Sequence, residues 1–214
     1  MPWGILIREV EKIVWENAPK NGTVLDLLCG PGYLLGQVQT QRPDLHCTGV
    51  DLDPAFIQYA QGHYPGMTFA IADAATWESR ETYDVVLCTA GVHHLAYEQQ
   101  EFFIKKLATL MATDGFAIVA DPYTEDYSDE QSRKLAGAKL GYEYLAATIQ
   151  NGATDDVIQA AVGILQNDVL LIEYKSSIQK MKPVFDRHFG TVEMHKTWPL
   201  TETTYGDYYF ILKK

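Results

Sequence analysis

VLDLLCGPG, residues 24–32, decides how the rest of the chain is read. A compact apolar run, starting at Thr23, predicts a strand, and two glycines one residue apart break it. Residues 33–41 then read as a helix. Glycines at such a turn let the backbone bend tightly and let a ligand approach the free N–H groups that open the helix. The spacing is not the dinucleotide fingerprint G-x-G-x-x-G, because Gly36 falls one place late after Gly30 and Gly32. No Lys-Ser or Lys-Thr pair follows, which excludes a Walker loop.

Outward from this turn the same rhythm repeats. HCTGVDL (46–52) reads as a second strand, and Asp53-Pro54 opens a second helix with proline in its first turn. MTFAIAD is a third strand, YDVVLCTA a fourth, EQQEFFIKKLATLMA a helix and GFAIVAD a fifth strand. Strands that are apolar nearly throughout, alternating with helices, belong to a parallel sheet covered on both faces. Upstream, residues 3–16 form a short amphipathic helix with Ile5, Leu6, Ile13 and Val14 near one face. It ends at Pro19 and the Asn21-Gly22 turn.

The pattern changes after Asp121. Residues 121–134 carry Asp121, Glu125, Asp126, Asp129 and Glu130, and two helices follow, KLAGAKLGYEYLAATIQ and Asp155 to about Leu165. DVLLIEY fits strand or helix and is taken as helical or irregular cover, with Glu173 and Lys175 as solvated helix charges. KSSIQKMKPVFDRHF is a helix leading back to the sheet. TVEMHKTWPL and YGDYYFILKK close the chain as two strands, paired antiparallel at one edge. The fold class is thus α/β, in a single domain over 1–214, with 123–175 as a helical lid or substrate cover.

Of the 214 residues 47% are apolar and 21% charged, enough to fill a core, and the formal net charge is −11. That charge opposes phosphate backbones and anionic lipid surfaces, so nucleic acid is an unlikely partner. Lysine and arginine pairs at 105–106, 133–134 and 213–214 are short and diluted by acids. Cys29, Cys47 and Cys88 suit neither a disulfide framework nor zinc spacing, so no metal is expected and the setting reads as cytoplasmic. The first residues lack a signal-peptide pattern, and no run approaches the ~18 apolar residues of a membrane span.

Three acids, Asp26, Asp51 and Asp73, end or nearly end successive strands, where open sheets bind ligands. Asp51 lies 19 residues past Gly32, in place to accept from a ribose diol. VLDLLCGPGYL, GVDLDPAFIQYA, FAIADA, YDVVLCTAGVHHL and DGFAIVAD, in this order, resemble the class I S-adenosylmethionine-dependent methyltransferases of small-molecule type. The resemblance covers 20–121 well and the terminal strands loosely. It implies a doubly wound, mostly parallel, seven-stranded Rossmann-like sheet with an antiparallel edge hairpin and a helical insert after strand 5. S-adenosylmethionine is the implied cofactor and S-adenosylhomocysteine the product. Asp26 would serve the amino group, the Gly30 and Gly32 backbone the methionyl and ribose portions, and Asp51 the ribose hydroxyls. Leu52 would pack on the adenine, Asp73 would accept from its N6 beside the Ala74 N–H, and Cys88 would lie near the sulfonium. Leu28 departs from the family, which commonly has glycine there.

For the acceptor, His94 and His93 are candidate bases, since histidine titrates near neutrality; the alternative is that they only shape the site. Asp121 either orients a substrate amine or caps the next element. Tyr123, Tyr127, Tyr142 and Tyr144, with Trp198 and Tyr205, form either an aromatic substrate wall or the packing of a helix pair or homodimer face. The expected reaction is methyl transfer to an oxygen or nitrogen of a small, aromatic-compatible molecule. The alternatives are a protein, peptide or RNA acceptor, or a catalytically silent cofactor-binding partner.

Overall fold

Side chains alternate between the two faces of a strand, so each central strand feeds two cores at once. Leu25, Leu27, Val86, Cys88, Ala117 and Val119 enter one core, against Phe103, Ile104, Leu107, Met181 and Phe185. Val24, Val85, Leu87, Phe116, Ile118 and Ala120 enter the other, against Leu6, Val10, Val14, Leu35, Val38 and Ile57. Burying both faces is the reason these strands carry almost no polar residues.

The computed structural model describes residues 2–170 and 173–214. The elements run α1 (Pro2–Asn17), β1 (Thr23–Leu27), α2 (Tyr33–Gln41), β2 (His46–Asp51), α3 (Pro54–His63), β3 (Thr68–Ile71) and β4 (Tyr83–Thr89). A 3-10 turn (Val92–His94) precedes α4 (Tyr97–Leu110) and β5 (Met111–Tyr123). Then come α5 (Glu130–Gln150), α6 (Asp155–Leu170), α7 (Ile178–His188), β6 (Thr191–Trp198) and β7 (Gly206–Lys213). The sheet order is β3-β2-β1-β4-β5-β7-β6. Strands β1 to β5 pair in parallel, and β7 runs antiparallel to both β5 and β6. The order reverses between β1 and β4, and the crevice at the carboxyl ends of those strands is where such sheets take ligands.

Several sequence expectations shift in detail. The buried stripe of α1 is Leu6, Val10 and Val14, at intervals of four residues, and Ile5 is exposed. Helix α4 stops at Leu110, because Met111 is extended and pairs with Tyr83 ahead of a register shift. Helix α6 continues to Leu170 rather than ending near Leu165. Of DVLLIEY, 171–172 lie outside the described residues, and Glu173 and Tyr174 are irregular rather than helical. Two caps set the boundaries here. Asp129 and Ser132 form a reciprocal capping box at α5, and Ser177 accepts from the Lys180 N–H at α7.

Helices α5 and α6 pack closely because glycines face the contact. A Cβ on Gly141 would sit 2.8 Å from Leu165 Cδ1 and 3.0 Å from its Cα. This hairpin of helices stands over the carboxyl ends of the strands and contributes few residues to either core.

Candidate active site

The β1–α2 turn is held in a shape that only some residues adopt easily. Leu28, Gly30 and Gly32 have φ of 60°, 53° and 78°. Gly30 takes this region without cost, whereas Leu28 is strained there. Gly32 answers to packing rather than to a ligand: a Cβ would lie 3.0 Å from the Phe69 ring and 3.2 Å from Ala60. The Gly30 N–H donates to Asp51 Oδ2 at 2.8 Å, and the Asp53 N–H donates to Asp51 Oδ1 at 2.9 Å. Asp51 thereby ties the end of β2 to the glycine turn.

Around this turn lies a cavity of about 620 Å³, lined by Asp26, Leu28, Gly30, Asp51, Leu52, Phe56, Thr89 and others. Asp26 is buried, and burial with the neighbouring Asp51 charge raises its pKa well above the ordinary carboxyl value. Asp26 Oδ1 and Thr89 Oγ1 have no hydrogen-bond partner among the described residues. Buried orphan polar atoms are costly, and a ligand carrying donors would relieve them. Leu52 and Phe56 add exposed apolar surface at the rim. A ligand with cationic groups, a diol and a flat ring matches this donor and acceptor set.

Besides Gly32, three cofactor residues expected from sequence fall elsewhere. Asp73 is exposed and caps the next turn by accepting from the Ala75 N–H at 2.9 Å, and neither it nor buried Ala74 lines the cavity. Cys88 is fully buried in the sheet core; Thr89 and Ala90 line the cavity in its place. Alternation along β4 is the cause, since consecutive residues point to opposite faces until the strand ends.

A second cavity of about 420 Å³ adjoins the first, and Trp3, Ala90 and His94 line both. Helices α5 and α6 wall it with Leu140, Tyr144, Val157, Ala161 and Ile164, and Pro122, His93, Asp168, Glu173 and Lys175 close its inner end. Trp3 was missed by sequence reasoning. An aromatic residue at the start of an amphipathic helix is weak as a signal, and only the docking of α1 brings it here.

Below the junction the charges interlock. Asp121 accepts from the His93 backbone N–H at 3.1 Å and meets His93 Nδ1 at 2.6 Å. A carboxylate there assigns the proton to Nδ1 and turns Nε2 toward Glu173, at 3.7 Å from Oε2. Lys175 Nζ donates to Glu173 Oε2 at 2.6 Å and also bonds Asp168. Glu173 and Lys175 are therefore buried members of an ion cluster, not solvated helix charges: the irregular 173–177 segment is tied inward, with the Tyr174 N–H on His93 O at 2.7 Å and Gln100 Nε2 on Tyr174 O at 2.8 Å. Burial pushes the Asp168 carboxyl upward to about 6 against the pull of Lys175. Burial acts the other way on Lys175, yet Asp168 and Glu173 outweigh it and keep its pKa raised.

His93, His94 and Glu173 each place a ligand atom within 4.8 Å of the others, a spacing that suits a divalent ion. Glu173 Oε2 is already paired with the Lys175 ammonium, so that oxygen is not free to ligate an ion. His94 opens onto both cavities, while protein on its other sides desolvates it; that burial, with His93 beside it at 4.2 Å between ring centroids, lowers its pKa. Asp121 is 2% exposed and stands behind His93, lining neither cavity.

The aromatic expectations divide. Tyr144 lines the second cavity and its hydroxyl donates to Asp207 Oδ2 at 3.1 Å, with Trp198 packed edge-on against it. Trp198 therefore supports the wall from behind. Tyr142, two residues away on the same helix, is 65% exposed and faces outward. Tyr123 is a core residue, edge-on to Tyr208 and Phe210. Tyr127 lies with Tyr97 beside the Lys175 carbonyl, and Tyr205 under Lys139.

Residues 24–115 match the family described as the methyltransferase domain. That stretch runs from β1 to β5 and includes the glycine turn and Asp51. The chain is similar to trans-aconitate 2-methyltransferase of Methylobacterium radiotolerans, 32% identical over 129 residues, 60% of this chain and 48% of that one. It also resembles a probable (S)-tetrahydroprotoberberine N-methyltransferase of Papaver bracteatum, 34% identical over 102 residues, 45% of this chain and 28% of that one. The chain thus spans about half or less of the length of these curated relatives. In fold it is similar to magnesium protoporphyrin IX methyltransferase of Synechocystis, solved with bound S-adenosylmethionine: TM-score 0.60, 16% identity, 97% of this chain and 78% of that one. The cavity at the glycine turn has the chemistry to hold such a cofactor.

Proposed function

We propose that the chain transfers the methyl group of S-adenosylmethionine to an oxygen or nitrogen of a small molecule. The observation that carries this reading is the pair of adjoining cavities meeting at Trp3, Ala90 and His94. When bound, the cofactor supplies an electrophilic methyl on a cationic sulfonium.

In this reading Asp26 accepts from the amino group, Asp51 from the ribose hydroxyls and Leu52 covers the adenine, while the Gly30 backbone lets the ligand approach closely. Trp3 and Ala90 frame the passage, and positioning in a water-poor junction supplies much of the rate. His94, held largely neutral by its lowered pKa, accepts the proton an oxygen or nitrogen acceptor releases. His93 is fixed between Asp121 and Glu173 and supports it. Helices α5 and α6, within 123–175, serve as the substrate cover of a single domain over 1–214, and Tyr144 and Trp198 complete the wall. The named activities of the relatives, on a carboxylic acid in one and at nitrogen in the other, support a small-molecule acceptor. Among the described residues no helix is long and apolar enough to cross a membrane. Three buried free thiols support a reducing, cytoplasmic setting.

Calorimetry with S-adenosylhomocysteine tests the reading. Wild type is expected to bind it, and Asp51→Ala to bind it about ten-fold or more weakly, in line with the loss of hydrogen bonds to a charged group. No binding by wild type at millimolar ligand would overturn the assignment.

A further inference from the structure

We propose that the second cavity takes a lipophilic amine, with the amine nitrogen as methyl acceptor at the His94 end, and discriminates against carboxylic acids. This rests on the methyltransferase reading and names its substrate class. The outer part of the cavity is apolar, with Leu140, Val157, Ala161 and Ile164 from α5 and α6. Its inner end is acidic. Asp168 and Glu173 line it, Asp121 lies behind His93, and Asp207 lies behind Tyr144.

The cations do not balance these groups. Lys175 is shared between Asp168 and Glu173, and Arg133 is committed to Glu130 and to the carbonyls of Asp168 and Val169. Asp168 Oδ2 and Asp207 Oδ1, both buried, lack hydrogen-bond partners among the described residues. Among the groups that line the cavity, two carboxylates, Asp168 and Glu173, thus face one ammonium, Lys175.

An acceptor carboxylate would enter beside Glu173 and Asp168 as a second uncompensated anion, which a low-dielectric site opposes. An amine gains on both counts. The nitrogen lone pair forms the new N–C bond as the S–C bond breaks, and that bond's electron pair goes to sulfur. Positive charge moves from sulfur to nitrogen, toward the carboxylates. A primary or secondary amine then gives its N–H proton to His94, whereas a tertiary amine ends as a quaternary cation with no proton to lose.

The test is calorimetry on protein saturated with S-adenosylhomocysteine, using 2-phenylethylamine and its carboxylate counterpart 3-phenylpropanoate, followed by turnover of the amine with S-adenosylmethionine. The amine is expected to bind about ten-fold or more tightly than the acid, and Glu173→Gln to reduce that preference about ten-fold, as removal of one nearby charge predicts. Ile164→Trp, which fills the apolar part, is expected to abolish amine binding with S-adenosylhomocysteine affinity unchanged. Methylated amine detected by mass supports the proposal. Equal or tighter binding of the acid, or amine affinity indifferent to both substitutions, would overturn it and leave the methyltransferase reading standing. Failure to bind S-adenosylhomocysteine at all would overturn both.

Discussion

Single residues at the junction carry distinct burdens. Asp51 both ties the glycine turn and faces the first cavity, the proposed cofactor site, so its loss has two effects that the conservative variant separates. Asp51→Asn is expected to preserve stability within about 1 kcal/mol, as neutral hydrogen bonds contribute on that scale. Its S-adenosylhomocysteine affinity should still fall, and thermal unfolding alongside calorimetry checks both. His94 has a pKa below the ordinary histidine value because burial and His93 oppose its charge. It therefore stays unprotonated to lower pH than a free imidazole, and the acidic limb of the kcat/KM profile should lie below the ordinary histidine value of 6.5. His94→Gln should remove that limb and lower kcat, with S-adenosylhomocysteine affinity little changed; an unaltered pH profile would rule out the base role. Leu28 occupies a left-handed backbone position at φ 60°. Leu28→Gly relieves the strain but removes a wall of the cofactor cavity, so the outcome expected is weaker cofactor binding without loss of folding, read by the same two measurements.

Among the elements, the α5–α6 hairpin walls the second cavity, the proposed acceptor site. Its close contact depends on Gly141 against Leu165, where an added methyl has backbone in its way at 3.0 Å. Gly141→Ala is expected to destabilise by about 1–3 kcal/mol through overpacking and to reshape the second cavity, since Gly141 lines it. Chemical denaturation and amine titration read the two effects. The elements themselves were largely legible, because doubly buried strands and the Asp53-Pro54 helix start follow from local composition. The lid helices were legible too, but their inward faces were not. Tyr142 and Tyr144 look alike in sequence, and only the rotation of α5 against its neighbours decides that Tyr144 meets the cavity and Tyr142 meets solvent. The 173–177 segment was misread for a related reason: burial of Glu173 and Lys175 depends on His93, Asp168 and Gln100, all distant in sequence.

At the scale of the whole molecule, an acidic interior makes stability respond to pH. Burial raises the Asp207 pKa from 3.8 to about 7 against the Tyr144 hydrogen bond. The unfolded chain releases this proton near 3.8 and the folded chain only near 7, so the contribution of Asp207 to stability falls across that interval and is lost above it. Asp207→Asn should flatten that decline, and denaturant midpoints measured between pH 4 and pH 8 would show a difference from wild type that widens as pH rises. The net charge of −11 opposes phosphate backbones and anionic surfaces on average, yet its weight at the second cavity depends on which carboxylates the fold buries together. By itself the sequence determined the strand and helix rhythm, the glycine turn and the placing of Asp26 and Asp51 at strand ends, because these depend on residues within a few positions of each other. Only the tertiary structure decided that Cys88 and Tyr123 belong to the core, that Trp3 joins the site, and that His93, Asp121, Glu173 and Lys175 form one cluster. Burial and pairing depend on which elements meet, and residues far apart in the chain come into contact only when the sheet, α1 and the α5–α6 hairpin close over the same crevice.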